Sequence, residues 1–268
     1  MTLNIPGKTN KLWEKTWIKR IFYLIILLTV WEFIYKLKIF NPLLLPGPKQ
    51  VFIKFMSEML DGSLVIKAGA SLYMILLGLL ISIAFVLVFT VFAMMNKTLK
   101  NLAGTLITVL DPLPGIALLP LAILWFGIGR NAILFIMIHS ILWPILLNVM
   151  TGFESVPLIY QEVGTVIGIS KPRMVLGIFI PAAFPNILAG LKTGWSRAWR
   201  ALISAEMVFG ATGRSSGLGW DIYMKRSFLD MQGMFASLIM IMIIGILVED
   251  LFFKRVEEAT IVKWGMVR

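Results

Sequence analysis

Cysteine is absent from this 268-residue sequence, and histidine occurs once, at His139. The first absence excludes a disulfide framework, thiolate metal sites and cysteine nucleophiles, and a single histidine argues against a histidine-based metal site. Charged residues are also scarce, at 15% of the chain against about 25% in soluble domains. Hydrophobic residues make up 59%, above the roughly 45–50% of soluble domains. We therefore expect a membrane protein.

Acidic residues are few as well, with Asp+Glu 14 against Lys+Arg 25 and a net charge of +11. On a soluble domain this excess would suggest a nucleic-acid partner. On a membrane protein it is more consistent with cationic loops held against anionic lipid on the cytoplasmic side. We therefore expect a lipid bilayer, and no nucleic acid, among the partners.

Six apolar stretches are long enough to cross a hydrocarbon core of about 30 Å, which takes about 20 residues of helix. An open sheet would leave backbone groups unpaired in lipid, so the stretches are interpreted as helices. The sequence predicts an all-α membrane protein with a cytoplasmic segment 1–20, a six-helix transmembrane domain 21–253 and a cytoplasmic tail 254–268. The six predicted spans are 21–39, 72–95, 102–126, 132–153, 186–210 and 234–253.

The distribution of cations between alternate loops predicts the orientation. Thirteen Lys and Arg residues fall on the side that carries both termini and nine on the other. We therefore expect a multi-pass protein of the inner (cytoplasmic) membrane with both termini in the cytoplasm. Between the first two spans, residues 51–60 carry apolar side chains at helical spacing. They predict an extracytoplasmic helix that lies on the membrane surface.

The cytoplasmic loop 154–185 has the pattern of two short helices with a corner between them. Gly168 ends the first helix, and Ser170 is placed as an N-cap with Lys171 and Pro172 opening the second. Such a two-helix hook is suited to docking a soluble partner. A solvated connector is the alternative reading of the same pattern.

The run Glu162-Val-Gly-Thr-Val-Ile-Gly168, followed by Ile178-Phe-Ile-Pro181, resembles the EAA loop of binding-protein-dependent ABC importer permeases. The spacing from Glu162 to Gly168 and on to Pro181 is that of the signature. Val163 and Gly164 replace its two alanines, and Ile180 replaces the leucine before the proline.

Other motifs resemble the nitrate, sulfonate, taurine and bicarbonate branch of these permeases, and the resemblance covers about residues 45–251. They are Leu45-Pro-Gly-Pro48, Pro120-Leu-Ala-Ile-Leu-Trp-Phe-Gly-Ile-Gly129, Phe184-Pro-Asn-Ile-Leu-Ala-Gly-Leu191, Ala205-Glu-Met207 and Ser216-Gly-Leu-Gly219.

The resemblance implies a type I ABC importer (MetI-like) permease fold, with a small sulfonate, nitrate or bicarbonate ion as substrate. Two ATPase subunits would bind ATP and Mg, so that this chain would be no enzyme and hold no cofactor of its own. An extracytoplasmic binding protein would deliver substrate, and a second permease copy or a sister chain would complete the pathway. The implied ATPase-coupling residues are Glu162, Gly164, Gly168, Ile169, Ser170, Lys171, Arg173, Met174 and Pro181.

Ionisable residues inside the predicted spans are costly and often functional. At 1.5 Å per residue, Asp111 lies roughly 14 Å along its helix and Arg197 to Arg200 roughly 17–21 Å along theirs, so an ion pair is expected. The excess cations either favour an anion in the pathway or belong to a structural ion-pair cluster. Pro112, Pro114, Gly115 and Pro120 kink the third span. The pathway candidates are Asp111, Pro114, Trp195, Arg197, Arg200 and Glu206.

Two motif matches point to other classes of protein. Gly7-Lys8-Thr9 resembles the end of a phosphate loop but lacks the upstream glycine, and the Gly213–Gly217 stretch matches a hydrolase elbow around Ser215. His139, at mid-span, is expected to be packed and hydrogen-bonded between helices. A gradient-driven secondary transporter, an intramembrane hydrolase and an importer of pyrimidine or thiamine precursors remain the alternatives.

Overall fold

The computed structural model describes residues 9–210 and 216–265, without the side chains of residues 9–17, Gln161 and Lys171. All regular elements in this part of the chain are helical. They are α1 (Thr9–Lys36), α2 (Pro48–Leu60), α3 (Ser63–Met95), α4 (Lys97–Leu110), α5 (Leu119–Phe126), α6 (Arg130–Glu154), α7 (Leu158–Val166), α8 (Pro172–Ala182), α9 (Phe184–Phe209), α10 (Leu218–Ser227) and α11 (Met231–Val262).

Three of these helices, α3, α6 and α11, are long and apolar enough to cross a membrane. Two bent pairs raise the number to five: α4 with the segment Gly115–Phe126, bent by 89°, and α8 with α9, bent by 73°. The predicted first span corresponds to α1. The arrangement is consistent with the six predicted crossings, of which the first stays a prediction.

Helices α6 and α9 form the centre of the bundle, and α3 packs against both of them. Small residues let the two axes approach closely. A Cβ atom at Gly190 would lie 2.9 Å from the Asn148 Cβ and 3.2 Å from the Ile145 Cα, and Gly194 faces Ile145 one turn further on. Alanine at Gly190 would therefore push the central helices apart.

Large apolar side chains cover much of the outer surface of the bundle. Leu80, Phe85 and Phe92 on α3 are half exposed or more, as expected for side chains that face lipid. Helix α1 lies on this surface and touches α11 through the rings of Trp31 and Phe235, 5.5 Å apart.

Two helices are longer than predicted. Helix α3 starts at Ser63 rather than residue 72, because Gly62 takes a left-handed conformation with φ +77° and lets the chain turn directly from α2 into α3. Helix α11 continues to Val262, nine residues beyond the predicted span, with Ile261 buried against the bundle. The predicted helix at 51–60 is confirmed as α2.

One end of the bundle is called here the hook end. It holds the turn between α3 and α4, the hook between α6 and α9, and the carboxyl end of α11. At the opposite end, buried charged side chains join α2, α3, α10 and α11. Lys225 contacts the carboxylates of Glu58, at 2.5 Å, and Asp221, at 2.7 Å, and Lys67 pairs with Asp221 as well. This opposite-end network holds the short helices α2 and α10 on the bundle.

Candidate functional site

The third predicted span is broken in its middle, as its prolines predict. Helix α4 ends at Leu110, and the chain turns through Asp111, Pro112 and Pro114 into a short 3-10 turn, Gly115–Leu118. A Cβ atom at Gly115 would overlap the Ser140 hydroxyl of α6. The break is therefore pressed against α6 at a position where only glycine fits.

An ion pair fixes the break to α9. Arg197 Nη1 donates to Asp111 Oδ1 at 2.5 Å and to the Asp111 carbonyl oxygen at 3.5 Å. The expected ion pair between the third and fifth spans is thus confirmed, with Arg197 as the partner. Because the helix break frees backbone carbonyls, the guanidinium compensates both the carboxylate and part of the broken backbone.

A cavity of about 590 Å³ opens between the break, α6 and α9. Four of the six pathway candidates line it: Asp111, Pro114, Arg197 and Arg200. Ser140 and Ser204 add hydroxyl groups that the sequence analysis did not single out. Ser204 lies four residues after Arg200, on the same face of α9, and this helical spacing could have identified it.

Arg200 gives the cavity its uncompensated charge. Among the described residues we find no ion-pair partner for its guanidinium, whereas Arg197 is paired. With His139 neutral, the charged groups of the lining are two guanidinium groups and one carboxylate. The cavity therefore carries one net positive charge, which a monovalent anion would balance.

His139 also lines the cavity, but the expected hydrogen bond across helices is wrong. Both ring nitrogens are shielded from solvent and have no hydrogen-bond partner in the described part of the chain. The ring instead packs edge-on against Trp143, with centroids 6.0 Å apart. His139 therefore contributes its ring to the cavity wall, while its two nitrogens are buried without a partner among the described residues.

The two other pathway candidates lie outside the cavity lining. Trp195 is 8% exposed and stacks on Trp199, one turn along α9, with centroids 5.8 Å apart. Glu206 is 4% exposed and lies near the opposite end of α9, where the Ser71 hydroxyl donates to it at 2.8 Å. A pathway role for either residue stays a prediction.

Glu206 holds the start of α10. Its carboxylate accepts a hydrogen bond from the Gly219 backbone N–H at 2.8 Å. A Cβ atom at Gly217 would overlap the same carboxylate, and one at Gly219 would overlap the Ile203 carbonyl oxygen. The two sequence motifs Ala205-Glu-Met207 and Ser216-Gly-Leu-Gly219 are therefore one contact, which we call the Glu206 clasp.

The predicted hook is present, with its corner at Gly168. Helix α7 ends in a Schellman motif: the Ile169 N–H donates to the Gly164 carbonyl at 2.9 Å and the Gly168 N–H to the Thr165 carbonyl at 3.1 Å. Gly168 has φ +75°, a conformation that disfavours other residues. The Ser170 carbonyl accepts the first hydrogen bond of the second helix, from Met174, as predicted for an N-cap.

The two arms of the hook pack on each other and on the bundle. A Cβ atom at Gly164 would lie 2.9 Å from the Met174 Cε, so the glycine that replaces an alanine of the signature admits this methionine. Phe179 is buried against Phe153 of α6, with ring centroids 5.5 Å apart. The hook is thus a firmly anchored projection.

The outer surface of the hook is apolar although it projects beyond the spans. Leu158, Val166, Ile167 and Leu176 are 63–86% exposed. Glu162, Ser170, Arg173 and Pro181 are exposed too, while Ile169 is half-buried. Exposed apolar groups concentrated in this way are typical of protein docking surfaces.

Three motif predictions fall at least partly outside the described residues. They are Gly7 and Lys8 of the phosphate-loop match, Ser215 of the elbow match, and the side chain of Lys171 in the hook. Among the described residues, no group of three or more histidine, aspartate or glutamate side chains could hold a metal ion.

The helical bundle contains a broken span that lines a charged cavity. An exposed hook is joined to α9, the helix that carries two of the cavity's charges. Together these features define a membrane transport protein. The comparison with known families agrees. Residues 74–262 match the family described as binding-protein-dependent transport system inner membrane component, and the chain belongs to this family. It is a permease subunit rather than an enzyme.

Three relatives cover most of the chain. The taurine transport system permease protein TauC of Escherichia coli (strain K12) is 29% identical over 84% of this chain and 82% of its own. SsuC of Bacillus subtilis (strain 168), named for aliphatic sulfonates transport, is 27% identical over 92% and 88%. The nitrate import permease protein NrtB of Synechocystis sp. (strain ATCC 27184 / PCC 6803 / Kazusa) is 27% identical over 88% and 86%.

Proposed function

We propose that this chain is the membrane-spanning subunit of an ATP-driven importer that moves a small anion of the sulfonate or nitrate class into the cell. The main support for an anionic substrate is the charge of the cavity. There Arg200 has no carboxylate partner among the described residues, whereas Arg197 is paired. The names of the relatives, which refer to taurine, aliphatic sulfonates and nitrate, support the same class of substrate.

The hook end faces the cytoplasm in this proposal, with both termini on that side. The hook docks in one of two ATPase subunits, which bind ATP and Mg. A second copy of this chain completes the pathway, and an extracytoplasmic binding protein delivers the anion to the opposite end. The exposed apolar side chains of the hook, among them Val166 and Leu176, support the docking surface.

Helix α9 links the hook to the anion. It starts directly after the 73° bend that ends α8, and Arg197 lies thirteen residues beyond its first residue, Phe184. At 1.5 Å per residue the guanidinium-bearing turn is roughly 20 Å from the bend. A tilt of the anchored hook therefore displaces the cavity wall that carries Arg197 and Arg200, which opens the cavity alternately to the two sides.

Reconstitution tests this function. The permease, its ATPase and its binding protein are placed in liposomes, and uptake of labelled taurine, an alkanesulfonate, nitrate and bicarbonate is measured with and without ATP. We expect uptake of one of these anions only with ATP and binding protein. Uptake by the chain alone, driven by an ion gradient, would identify a secondary transporter. ATP-driven uptake of a pyrimidine or thiamine precursor instead would replace the anion.

A further inference from the structure

The last turns of α11 begin inside the predicted sixth span, run beyond it and contact the first turns of α9. We call the segment 248–265 the α11 extension. It includes Val248–Phe253, Lys254–Glu257 and Glu258–Val262, which continue the helix of α11. Phe253 and Ile261 are 3% and 4% exposed, so the extension packs on the bundle rather than trailing from it.

Lys192 makes two polar contacts between α9 and this extension. Its ammonium group lies 3.2 Å from a carboxylate oxygen of Glu249 and 3.3 Å from one of Glu257. The same group lies 5.9 Å from the centroid of the Phe253 ring. Residues 249, 253 and 257 follow one another at four-residue spacing, so one face of the extension holds Lys192 along two turns.

A second contact lies at the bend itself. Phe184, the first residue of α9, packs against Trp264 near the end of the extension, with ring centroids 5.4 Å apart. The two contacts thus fix the extension to α9 at its first residue and at Lys192, two turns further on. The bend between α8 and α9 lies immediately before this clamped segment.

We propose that the α11 extension is a brace that makes the first turns of α9 and the end of α11 move as one body, and that Lys192 is a positioning residue for coupling. The proposal rests on the proposed docking of the hook to an ATPase. A helix pair clamped in this way turns a tilt of the hook into rotation of α9 along its length. Without the clamp, the 73° bend absorbs the movement.

The first test measures coupling rather than activity. In the reconstituted complex, Lys192→Met removes the charge but keeps a side chain of similar length. We expect the number of anions imported per ATP hydrolysed to fall by about threefold or more, with ATP hydrolysis and complex yield maintained. Lys192→Arg restores the ratio because it keeps both ion pairs. Lys36→Met, which breaks the exposed pair with Glu32 on α1, is the matched control and leaves the ratio unchanged.

The second test locks the brace. The chain has no cysteine, so Phe184→Cys with Trp264→Cys can be joined by a short bifunctional thiol reagent in a complex whose partners are cysteine-free. If the two segments move as one body, the crosslinked complex transports as fast as the same variant before crosslinking.

Two results would overturn the brace. One is loss of transport on crosslinking, because the segments would then have to separate during the cycle. The other is a Lys192→Met complex that imports as many anions per ATP as the wild type. Neither result touches the proposed function, which fails only if the wild-type complex shows no ATP-driven uptake.

Discussion

Arg197 and Asp111 form an ion pair across the broken helix, with 2.5 Å between guanidinium and carboxylate. The pair joins α9, which continues from the hook, to the helix break that lines the cavity. It also neutralises one of the two arginines, so that Arg200 alone determines the net charge of the site. The same contact therefore contributes to the mechanical connection and to the electrostatics of the cavity.

Loss of the Arg197–Asp111 ion pair should lower the unfolding free energy of the permease. Asp111→Asn leaves Arg197 without its carboxylate in a setting where the two side chains are 19% and 38% exposed. We expect a loss of about 1–2 kcal/mol in unfolding free energy, between the values for surface and buried pairs. Thermal unfolding of Asp111→Asn, Arg197→Met and the double variant measures the coupling energy. Additive effects of the two substitutions would mean that the pair does not contribute.

The Glu206 clasp predicts that glycine is required at the start of α10. Gly219→Ala places a methyl group against the Ile203 carbonyl and the Glu206 side chain, so we expect a loss of about 1–3 kcal/mol. Gly69→Ala is the matched control, because a Cβ there meets no atom within 4 Å and alanine favours helix by about 0.5–1 kcal/mol. Equal melting temperatures for the two variants would contradict the clasp.

The conformation of Gly168 at the corner of the hook predicts an effect on ATPase binding. Gly168→Val forces a side chain into the left-handed conformation at φ +75°, at a cost of about 1–2 kcal/mol or more. The corner then distorts, and we expect weaker co-purification of the ATPase subunit with the permease. Gly177→Ala, in the same hook and with open space around its Cβ, should keep wild-type co-purification. Retention of the ATPase by Gly168→Val would exclude a role for the corner.

The opposite-end network predicts that the stability of the fold depends on pH. Burial of Asp221 acts to raise the pKa of its carboxyl group. Hydrogen bonds from Lys225, Lys67 and Ser237 outweigh burial and hold that pKa below its ordinary value of 3.8. Because the folded-state pKa is the lower one, the network contributes its full stability above pH 3.8, and this contribution is lost as pH falls through the folded-state pKa.

Melting temperature against pH measures this contribution. We expect the wild type to lose stability more steeply than Asp221→Asn as pH falls below about 4. At neutral pH the variant is less stable, because Lys225 and Lys67 lose a charged partner. Parallel curves for the two proteins throughout the acid range would show that Asp221 does not stabilise the fold through its charge.

The sequence predicted those parts of the site that local signals determine. Gly168 and Ser170 mark the hook because turns and caps depend on neighbouring residues, and similar depth in the two spans brought Asp111 and Arg197 together. The four-residue spacing of Arg200 and Ser204 places both on one face of α9. These features follow from helical geometry alone.

The Asp111–Arg197 contact joins residues 86 positions apart, but other contacts between distant segments could not be predicted in the same way. Lys192 and Glu257 are 65 residues apart, and the charged residues after Phe253 have the composition of a solvated tail until their partners on α9 are known. A carboxylate in a span predicts function for Glu206, and this pathway role stays a prediction. Its hydrogen-bond partners, Ser71 and Gly219, come from two other helices and could not be predicted from the sequence.

The charge of Arg200 in the reconstituted importer tests the central claim most directly. ATP-driven anion uptake is measured for the wild type, Arg200→Lys and Arg200→Ala at equal amounts of assembled complex. We predict that Arg200→Ala loses at least about tenfold in uptake, as expected when a charged hydrogen-bonding partner is removed from a ligand, and that Arg200→Lys keeps part of it. Unchanged anion uptake by Arg200→Ala would contradict the assignment of the cavity as the anion's route.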